Sequence, residues 1–502
     1  MVNQNQTPLL DALKANAARP HAPFYTPGHK QGKGISQPFA DLFGKAVFSA
    51  DLTELADLDN LFAPQGVIQE AQQLAAEAFG ASQTWFLVNG STCGIEAAIL
   101  ATCGTGDKII LPRNVHLSAI AGLILSGAIP IFLNPEYDPV LDIAHSITPN
   151  TLQSALQQHP DAKAVLTVYP TYYGVCGDLS AIANITHQYN IPLLVDEAHG
   201  AHFAFHPELP TPALAAGADL TVQSIHKVLG AMTQASMLHI QGERINSNRI
   251  SKALQLLQST SPSYILLASL DAARQQMALD GKMLMSHTLQ LAEEAITKIS
   301  QIPGLSVLQI PSTNQGRLAE SPGFVALDKT RLTVTVSKLG LTGFAADEIL
   351  DDKFAVTAEF PSQQHLTFII SLGNTAVDIQ QLVQGFTILA KEYGRTNVSV
   401  KNDICQNLPT KVGTNLYLSP REAFFAASET LPFTKTCDCI CAEIVCPYPP
   451  GIPVLMPGEL ITKPVLDYLQ QIQAMGGLIG GCNDTSLKTL KVVKSPTNFI
   501  KI

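Results

Sequence analysis

The chain has 502 residues, 46% hydrophobic and 14% charged, so it is long enough for several domains of about 100–200 residues and too apolar to be disordered. Its 41 acidic and 31 basic residues give a formal charge of −10 with no cluster of basic residues, which argues against nucleic acid or an anionic membrane as the main partner. No stretch approaches the roughly 20 apolar residues of a membrane span, and the first twenty residues lack a signal-peptide core. The nine cysteines read as reduced thiols, and a cytoplasmic protein is expected.

From about residue 65 to 240, helical stretches alternate with short β-rich runs: WFLV (85–88), KIILP (108–112), IPIFL (129–133), AVLTVYP (164–170), IPLLVDEAHG (191–200) and ADLTVQS (218–224). Strands apolar on both faces and separated by helices predict an α/β protein with a mainly parallel sheet covered on both sides. A long helical segment is predicted from about Tyr264 to Ile302, before Pro303-Gly304. RLTVTVSKLG and HLTFIISLGN follow, each succeeded by a helical pattern, near 344–351 and 376–393, and together they read as a smaller α+β domain. From about 401 the texture changes again, through SPREAFFAAS and PYPPGIPVLMPGE, to a last helix near 464–475. The expected division is an N-terminal arm (1–22), a large domain (23–303), a small α+β domain (304–400) and a C-terminal α+β domain (401–502).

In open parallel sheets, reactive groups collect at the carboxyl ends of the strands. Two such ends stand out. Asp196 follows the apolar IPLLV, and Lys227 follows ADLTVQ within Ser224-Ile225-His226-Lys227. Desolvation there would lower the lysine pKa and make it a nucleophile toward a carbonyl. A Schiff-base lysine with an aspartate facing a pyridinium nitrogen is the electronic core of a pyridoxal-phosphate (PLP) site, although the two residues can equally form a plain ion pair. Asn89-Gly90-Ser91-Thr92-Cys93-Gly94 lies between a strand and a helix. Its glycines and hydroxyls suit a phosphate cradle at a helix N-terminus, or a simple N-cap. Arg113-Asn114-Val115-His116 follows KIILP at the same presumed edge, where the imidazole can lie on a cofactor ring or serve a structural hydrogen bond.

The motifs TPGHKQGKG (26–34), DLTELADLDNLFAPQGVI (51–68), NGSTCG (89–94), RNVHLS (113–118), PTYYGVCGDL (170–179), VDEAHGAH (195–202), QSIHKVLGAMTQAS (223–236), TSPSY (260–264) and PYPPGIPVLMPGE (447–459) resemble, in order, those of the Orn/Lys/Arg decarboxylases. These are PLP enzymes of the aspartate-aminotransferase fold that remove the α-carboxylate of a basic amino acid. The resemblance implies that Lys227 carries the cofactor and Asp196 faces its pyridine nitrogen. His116 would stack on one face of the ring and Ala198 pack against the other. Ser91, Thr92, Ser224, and Thr260 from a second subunit, would hold the phosphate. His199 would line the cofactor site, and His226 would help reprotonate the product.

The chain departs from the family pattern in three places. Its core motifs begin at about residue 23, so it resembles the short form without an N-terminal wing domain, and ring-shaped decamers built through that wing are not expected. The family commonly carries lysine after the stacking histidine, where this chain has Leu117. The segment Cys437-Asp438-Cys439-Ile440-Cys441, with Cys446 nearby, is rich in cysteine.

A basic substrate needs an acidic group at the far end of its pocket, for which Glu443, Glu459 and Glu359 are candidates. Arginine or lysine is expected ahead of ornithine, with the product feeding polyamine synthesis. No metal is expected. The C-x-C-x-C spacing places alternate residues on one strand face and suits buried thiols better than zinc, while His202 and His206 read as structural. His29 and Lys30 are candidates to reach a site at a dimer interface. The acidic run Asp51–Asp59 has no assigned chemistry. A homo-oligomer, at least a dimer with shared active sites, also accounts for the low charged fraction. Competing readings are an aldolase or aminotransferase on the same scaffold, in which Arg331 would grip the α-carboxylate, and a silent regulatory paralogue.

Overall fold

The computed structural model describes residues 3–311, 321–394, 416–448 and 452–494. It comprises two compact units, one of Met1–Ala101 with Leu194–Ser286, the other of Thr102–Leu193 with His287–Ile502. Strands β1 (Gln83–Leu87), β2 (Lys108–Pro112), β3 (Ile129–Leu133), β4 (Ala164–Val168), β5 (Leu193–Asp196) and β6 (Leu220–Gln223) fall on the six predicted apolar runs. Strand β7 (Ser236–Ile240) was not predicted, because Ser236 and His239 break its apolar pattern even though both are fully buried.

In the first unit the strand order is β1-β7-β6-β5. Strand β7 is antiparallel to both β1 and β6, whereas β6 and β5 are parallel, with Asp196 opposite Val222. Strands β1, β5 and β6 therefore run the same way and end at one edge. The helix Gly90–Thr102 leaves that edge and packs tightly on the sheet. A Cβ on Gly94 would lie 2.7 Å from both Leu87 Cδ1 and Val222 Cγ1, so only glycine permits this approach of helix to strands β1 and β6.

The N-terminal arm is built into the first unit. The helix Pro8–Ala18 receives its cap from the long helix Tyr264–Ser300, whose buried Asp271 accepts hydrogen bonds from Leu9 N and Leu10 N. Arg274, also fully buried, pairs with Asp271 and donates to the carbonyls of Gln4 and Gln6. The last member of the acidic run also finds its physical reason here. Asp59, at a φ of +68°, accepts backbone N–H bonds from Asn60, Gln65, Gly66 and Ile68, and so caps the start of the helix Val67–Phe79. Burial opposes its charge, but these N–H groups hold its carboxyl below the usual carboxylate range.

In the second unit β2 is parallel to both β3 and β4. A separate antiparallel sheet has the order β8-β9-β11-β10, made by β8 (Ser306–Val307), β9 (Arg331–Thr335), β10 (Phe360–Pro361) and β11 (His365–Ile369). With the helices Gly343–Phe354 and Ala376–Tyr393 it encloses a core of Leu332, Val334, Leu350, Leu366, Ile379 and Phe386, matching the predicted α+β pattern. The C-terminal part pairs Ser428–Pro432 with Thr489–Val493 and buries Cys441, Val445, Leu469 and Val492 beneath the helix Lys463–Ala474. The expected strand face for Cys437, Cys439 and Cys441 is not formed. Asp438 takes a φ of +63°, so the chain turns there, leaving Cys437 and Cys439 half-buried and only Cys441 in the core. Among the described residues no helix is long and apolar enough to cross a membrane.

Candidate active site

The shared edge of β1, β5 and β6 assembles eight of the predicted residues. Strand β6 ends at Gln223, Ser224 follows, and one helical turn, Ile225–Val228, presents Lys227. Its Nζ is 3.1 Å from His199 Nε2. Asp196, at the end of β5, is buried, and its Oδ1 accepts from Ala198 N at 3.1 Å. Burial raises the Asp196 carboxyl above its usual range, and the Lys227 charge and the Ala198 N–H oppose this. The two charges thus act on each other as their positions in sequence suggested. His226 is half-buried; its Nδ1 lies 3.0 Å from Ala235 O and donates to it, leaving Nε2 as the acceptor nitrogen. Burial lowers its pKa, so the ring stays neutral near pH 7.

The turn after β1 has the form of an anion cradle. Gly90 adopts a φ of +76°, a left-handed backbone that opens the helix, and Ser91 Oγ accepts from Ser224 Oγ at 2.8 Å. Two hydroxyls from distant segments therefore meet at the N-terminus of a 13-residue helix. Thr92, beside them, is exposed. Gln258, which sequence reasoning missed, braces this turn: its Oε1 accepts from Val88 N at 2.8 Å, and the next residue, Ser259, donates its N–H to Asn89 Oδ1 at 3.4 Å. Thr260 follows and is exposed. The hydroxyl pair, the open helix N-terminus, the half-buried lysine and the buried carboxylate fit a phosphate-bearing aldehyde with a basic ring nitrogen.

His116 belongs to the second unit. It caps the helix Leu117–Ser126, its Nδ1 accepting from Ser118 N, which fixes the ring. Arg113 donates to Pro453 O at 2.8 Å, to Val454 O at 3.0 Å and to Glu459 Oε2 at 3.1 Å. Glu459 Oε2 also accepts from Met456 N, and the Glu459 carboxyl is raised by burial and lowered by Arg113. Glu443 accepts from Asn483 N and Lys491 N with its two oxygens. Both carboxylates thus hold their own main chain together. Glu359 is exposed, and its charge acts on the buried Arg331, whose pKa burial lowers while Asp328 and Glu359 raise it.

His202 is buried against Phe203, and His206 bonds Ser286 Oγ at 3.0 Å. His29 is held between Asp51 and Gly32 N, and Lys30 bonds Tyr25 O. Residues 449–451 of the PYPPGIP motif lie outside the described residues.

Residues 7–378 match the family described as "Orn/Lys/Arg decarboxylase, major domain", and residues 406–485 match its C-terminal domain. The chain is 39% identical to an arginine decarboxylase of Bacillus subtilis over 495 residues, covering 98% of this chain and 99% of that one. It is also 39% identical to an arginine decarboxylase of Halalkalibacterium halodurans over 501 residues, with coverage of 98% and 99%. The crystal structure of the Francisella novicida lysine decarboxylase superposes with a TM-score of 0.81 at 23% identity, covering 97% of this chain and 81% of that one, a likeness of fold.

Proposed function

The chain belongs to the Orn/Lys/Arg decarboxylase family, and from that premise we propose that it removes the α-carboxylate of arginine as carbon dioxide and leaves the corresponding amine. The family and the fold make it a PLP-dependent amino acid decarboxylase. The observation that carries the reading is the meeting of Lys227, His199, Asp196 and the Ser91–Ser224 hydroxyl pair at one sheet edge. Full-length identity to arginine decarboxylases favours arginine over lysine and ornithine.

When bound, pyridoxal phosphate supplies an electron sink for the pair released as the Cα–carboxylate bond breaks. Lys227 would attach it, with His199 holding the amine in place and able to take its proton. Asp196 would hold a proton at the ring nitrogen, a cationic partner that would favour the buried carboxylate beyond the Lys227 charge and the Ala198 N–H. Ser91, Thr92, Ser224 and the first turn of their helix would bind the phosphate, joined by Thr260 of a partner subunit. His116 and Ala198 would pack against the two ring faces. His226, neutral with Nε2 as its acceptor nitrogen, is suited to relay the proton that replaces the carboxylate at Cα. Of the three acidic candidates for the distal cation, Glu443 and Glu459 already hold main-chain and arginine groups, so the reading assigns this role to Glu359. The working form would be at least a homodimer in the cytoplasm, and the amine product would enter polyamine synthesis.

The test is to load the purified protein with pyridoxal phosphate, look for the visible absorbance of lysine-bound cofactor, and measure carbon dioxide release from arginine, lysine and ornithine separately. Release from arginine at the highest kcat/KM is expected. No visible band would remove the cofactor assignment, and a band without release from any of the three would remove the decarboxylase assignment.

A further inference from the structure

Glu197 directly follows β5 and extends its pairing with β6, its N–H donating to Val222 O at 2.9 Å, so the consecutive side chains of Asp196 and Glu197 take opposite faces of the sheet. Asp196 faces the site, whereas Glu197 is fully buried and has no place in the chemistry described above. Its Oε1 accepts from Ala213 N at 2.8 Å, and its Oε2 accepts from Thr221 Oγ1 at 3.0 Å and from Gln223 Nε2 at 2.8 Å. Because Gln223 gives its N–H to Glu197, its Oε1 is left as the acceptor for His239 Nε2 at 3.2 Å. His239 Nδ1 is then the acceptor for Thr84 Oγ1 at 2.7 Å. Glu197, just past the end of β5, thus forms one continuous buried row with Gln223 of β6, His239 of β7 and Thr84 of β1. Phe79 closes it by stacking on His239 at 4.9 Å.

We infer that Glu197 is a positioning residue of the active site, fixing through this row the relative placement of the strand ends that carry Asp196, Ser224–Lys227 and the Asn89–Gly94 cradle. Asp196 directly precedes Glu197, Ser224 directly follows Gln223, and the strand of Thr84 runs straight into the cradle. A shift of the carboxylate is therefore passed directly to Asp196 and Ser224, and to the cradle along the stretch from Thr84 in β1 to Asn89. The inference rests on the proposed decarboxylase reading. A hydrogen-bonded row of this kind has a definite direction. Glu197 as an anion orients the Gln223 amide, and the amide selects the His239 tautomer.

Other charged groups on the elements packed around the row have partners of their own. Asp196 faces Lys227, Asp219 pairs with Arg244, and Asp271 pairs with Arg274. His199 hydrogen-bonds Lys227, and His202 packs on Phe203. Burial pushes Glu197 up to about 7, against the hydrogen bonds from Gln223, Ala213 and Thr221, while burial alone pushes His239 down to about 3. A protonated Glu197 needs an acceptor among the three groups that converge on it, which the Ala213 N–H cannot become and the Thr221 hydroxyl becomes by rotating. The folded-state pKa of Glu197 lies above its ordinary value, so its contribution is fully present below about pH 4.5 and is lost as pH rises through about 7. His239 contributes the opposite slope below its ordinary value near 6.5, and a difference between variants removes it.

The experiment compares the parent chain with Glu197→Gln and Thr84→Val, each loaded with pyridoxal phosphate and scored for bound cofactor per chain. The expected result for E197Q is a fall of about tenfold or more in kcat with KM within about twofold, and a displaced pH midpoint of the visible cofactor band. The cofactor-free protein should lose the decline in thermal midpoint that the parent shows between about pH 5 and 7. T84V, which only removes a hydroxyl at the far end of the row, should displace the band midpoint in the same direction by less, and it carries the test alone if E197Q does not fold. Variants with parental cofactor content, band midpoint and kcat would overturn the inference, as would activity lost only in proportion to lost cofactor. A parent that shows the band but releases no carbon dioxide would refute the decarboxylase reading while the band midpoint still tests the positioning role.

Discussion

Ser224 Oγ donates to Ser91 Oγ at 2.8 Å although 133 residues separate the two serines. One hydroxyl ends β6 and the other opens the helix after β1, and the parallel sense of those strands within the first unit brings them to one edge. Each is expected to strengthen cofactor binding by a charge-assisted hydrogen bond of about 1.5–3 kcal/mol, which is roughly tenfold or more in affinity. Ser91→Ala and Ser224→Ala should therefore release pyridoxal phosphate on dialysis, measured by loss of the visible band. The double variant should lose less than the sum, because the first substitution already leaves the other hydroxyl without its partner.

Lys227→Ala should abolish the visible band and reduce turnover to background, because its neighbours Asp196, His199 and Ser224 offer no second primary amine at this edge. Retained turnover with a parental band would show that a different lysine carries the cofactor.

Gly94 tests the packing that brings the cradle to the sheet. Gly94→Ala places a Cβ 2.7 Å from Leu87 and Val222, an overpacking expected to cost about 1–3 kcal/mol in urea unfolding and to weaken cofactor retention. Gly80→Ala is the control, since no atom lies within 4 Å of its added Cβ, and its penalty should come from backbone conformation alone, at a φ of +72°. Equal cofactor affinity in the two variants would show that the helix can move away without disturbing the cradle.

The pair of half-buried Arg113 and buried Glu459 holds the segment Pro453–Glu459 to the end of β2, and breaking it leaves one uncompensated charge. Arg113→Met is expected to destabilise the folded chain by about 3–5 kcal/mol, and the pair Arg113→Met with Glu459→Leu should recover part of that loss. Denaturant unfolding of the two variants checks both values.

The cysteines of the C-terminal part are expected to be poor nucleophiles. Burial pushes Cys446 up to about 12 and Cys482 up to about 11, and burial also raises Cys439. At pH 8 only about one Cys482 thiol in a thousand is ionised, so alkylation of Cys446 and Cys482 should require unfolding. Mass-spectrometric mapping of labelled native and unfolded protein decides this, and rapid native labelling of either residue would contradict the packing.

Much of the candidate site was legible before the fold, for a specific physical reason. A charged residue at or just past the end of an apolar strand, as Asp196 and Lys227 are, is poorly explained as a solvated surface charge, and a glycine-rich turn between a strand and a helix suits backbone donors facing an anion. The helices, too, followed from periodicity, and the long one begins at Tyr264 as predicted. Less was legible where polar residues are buried. Strand β7 was hidden by His239 and Ser236, and Glu197 was passed over because the motif DEAH does not say which face each carboxylate takes. The signal was nevertheless there: Thr221 and Gln223 alternate in an otherwise apolar strand, the period of a polar stripe on one sheet face.

The sequence by itself determined six strands on the predicted apolar runs, the long helix and the family, because hydrophobic period and residue order are local properties. Only the tertiary structure decided how the remaining acids are used. Glu459 pairs with Arg113, Glu443 holds Asn483 N and Lys491 N, and Asp59 caps a helix. A carboxylate's role is set by the donors that converge on its two oxygens, and those donors lie 7 residues away for Asp59, 40 for Glu443 and 346 for Glu459.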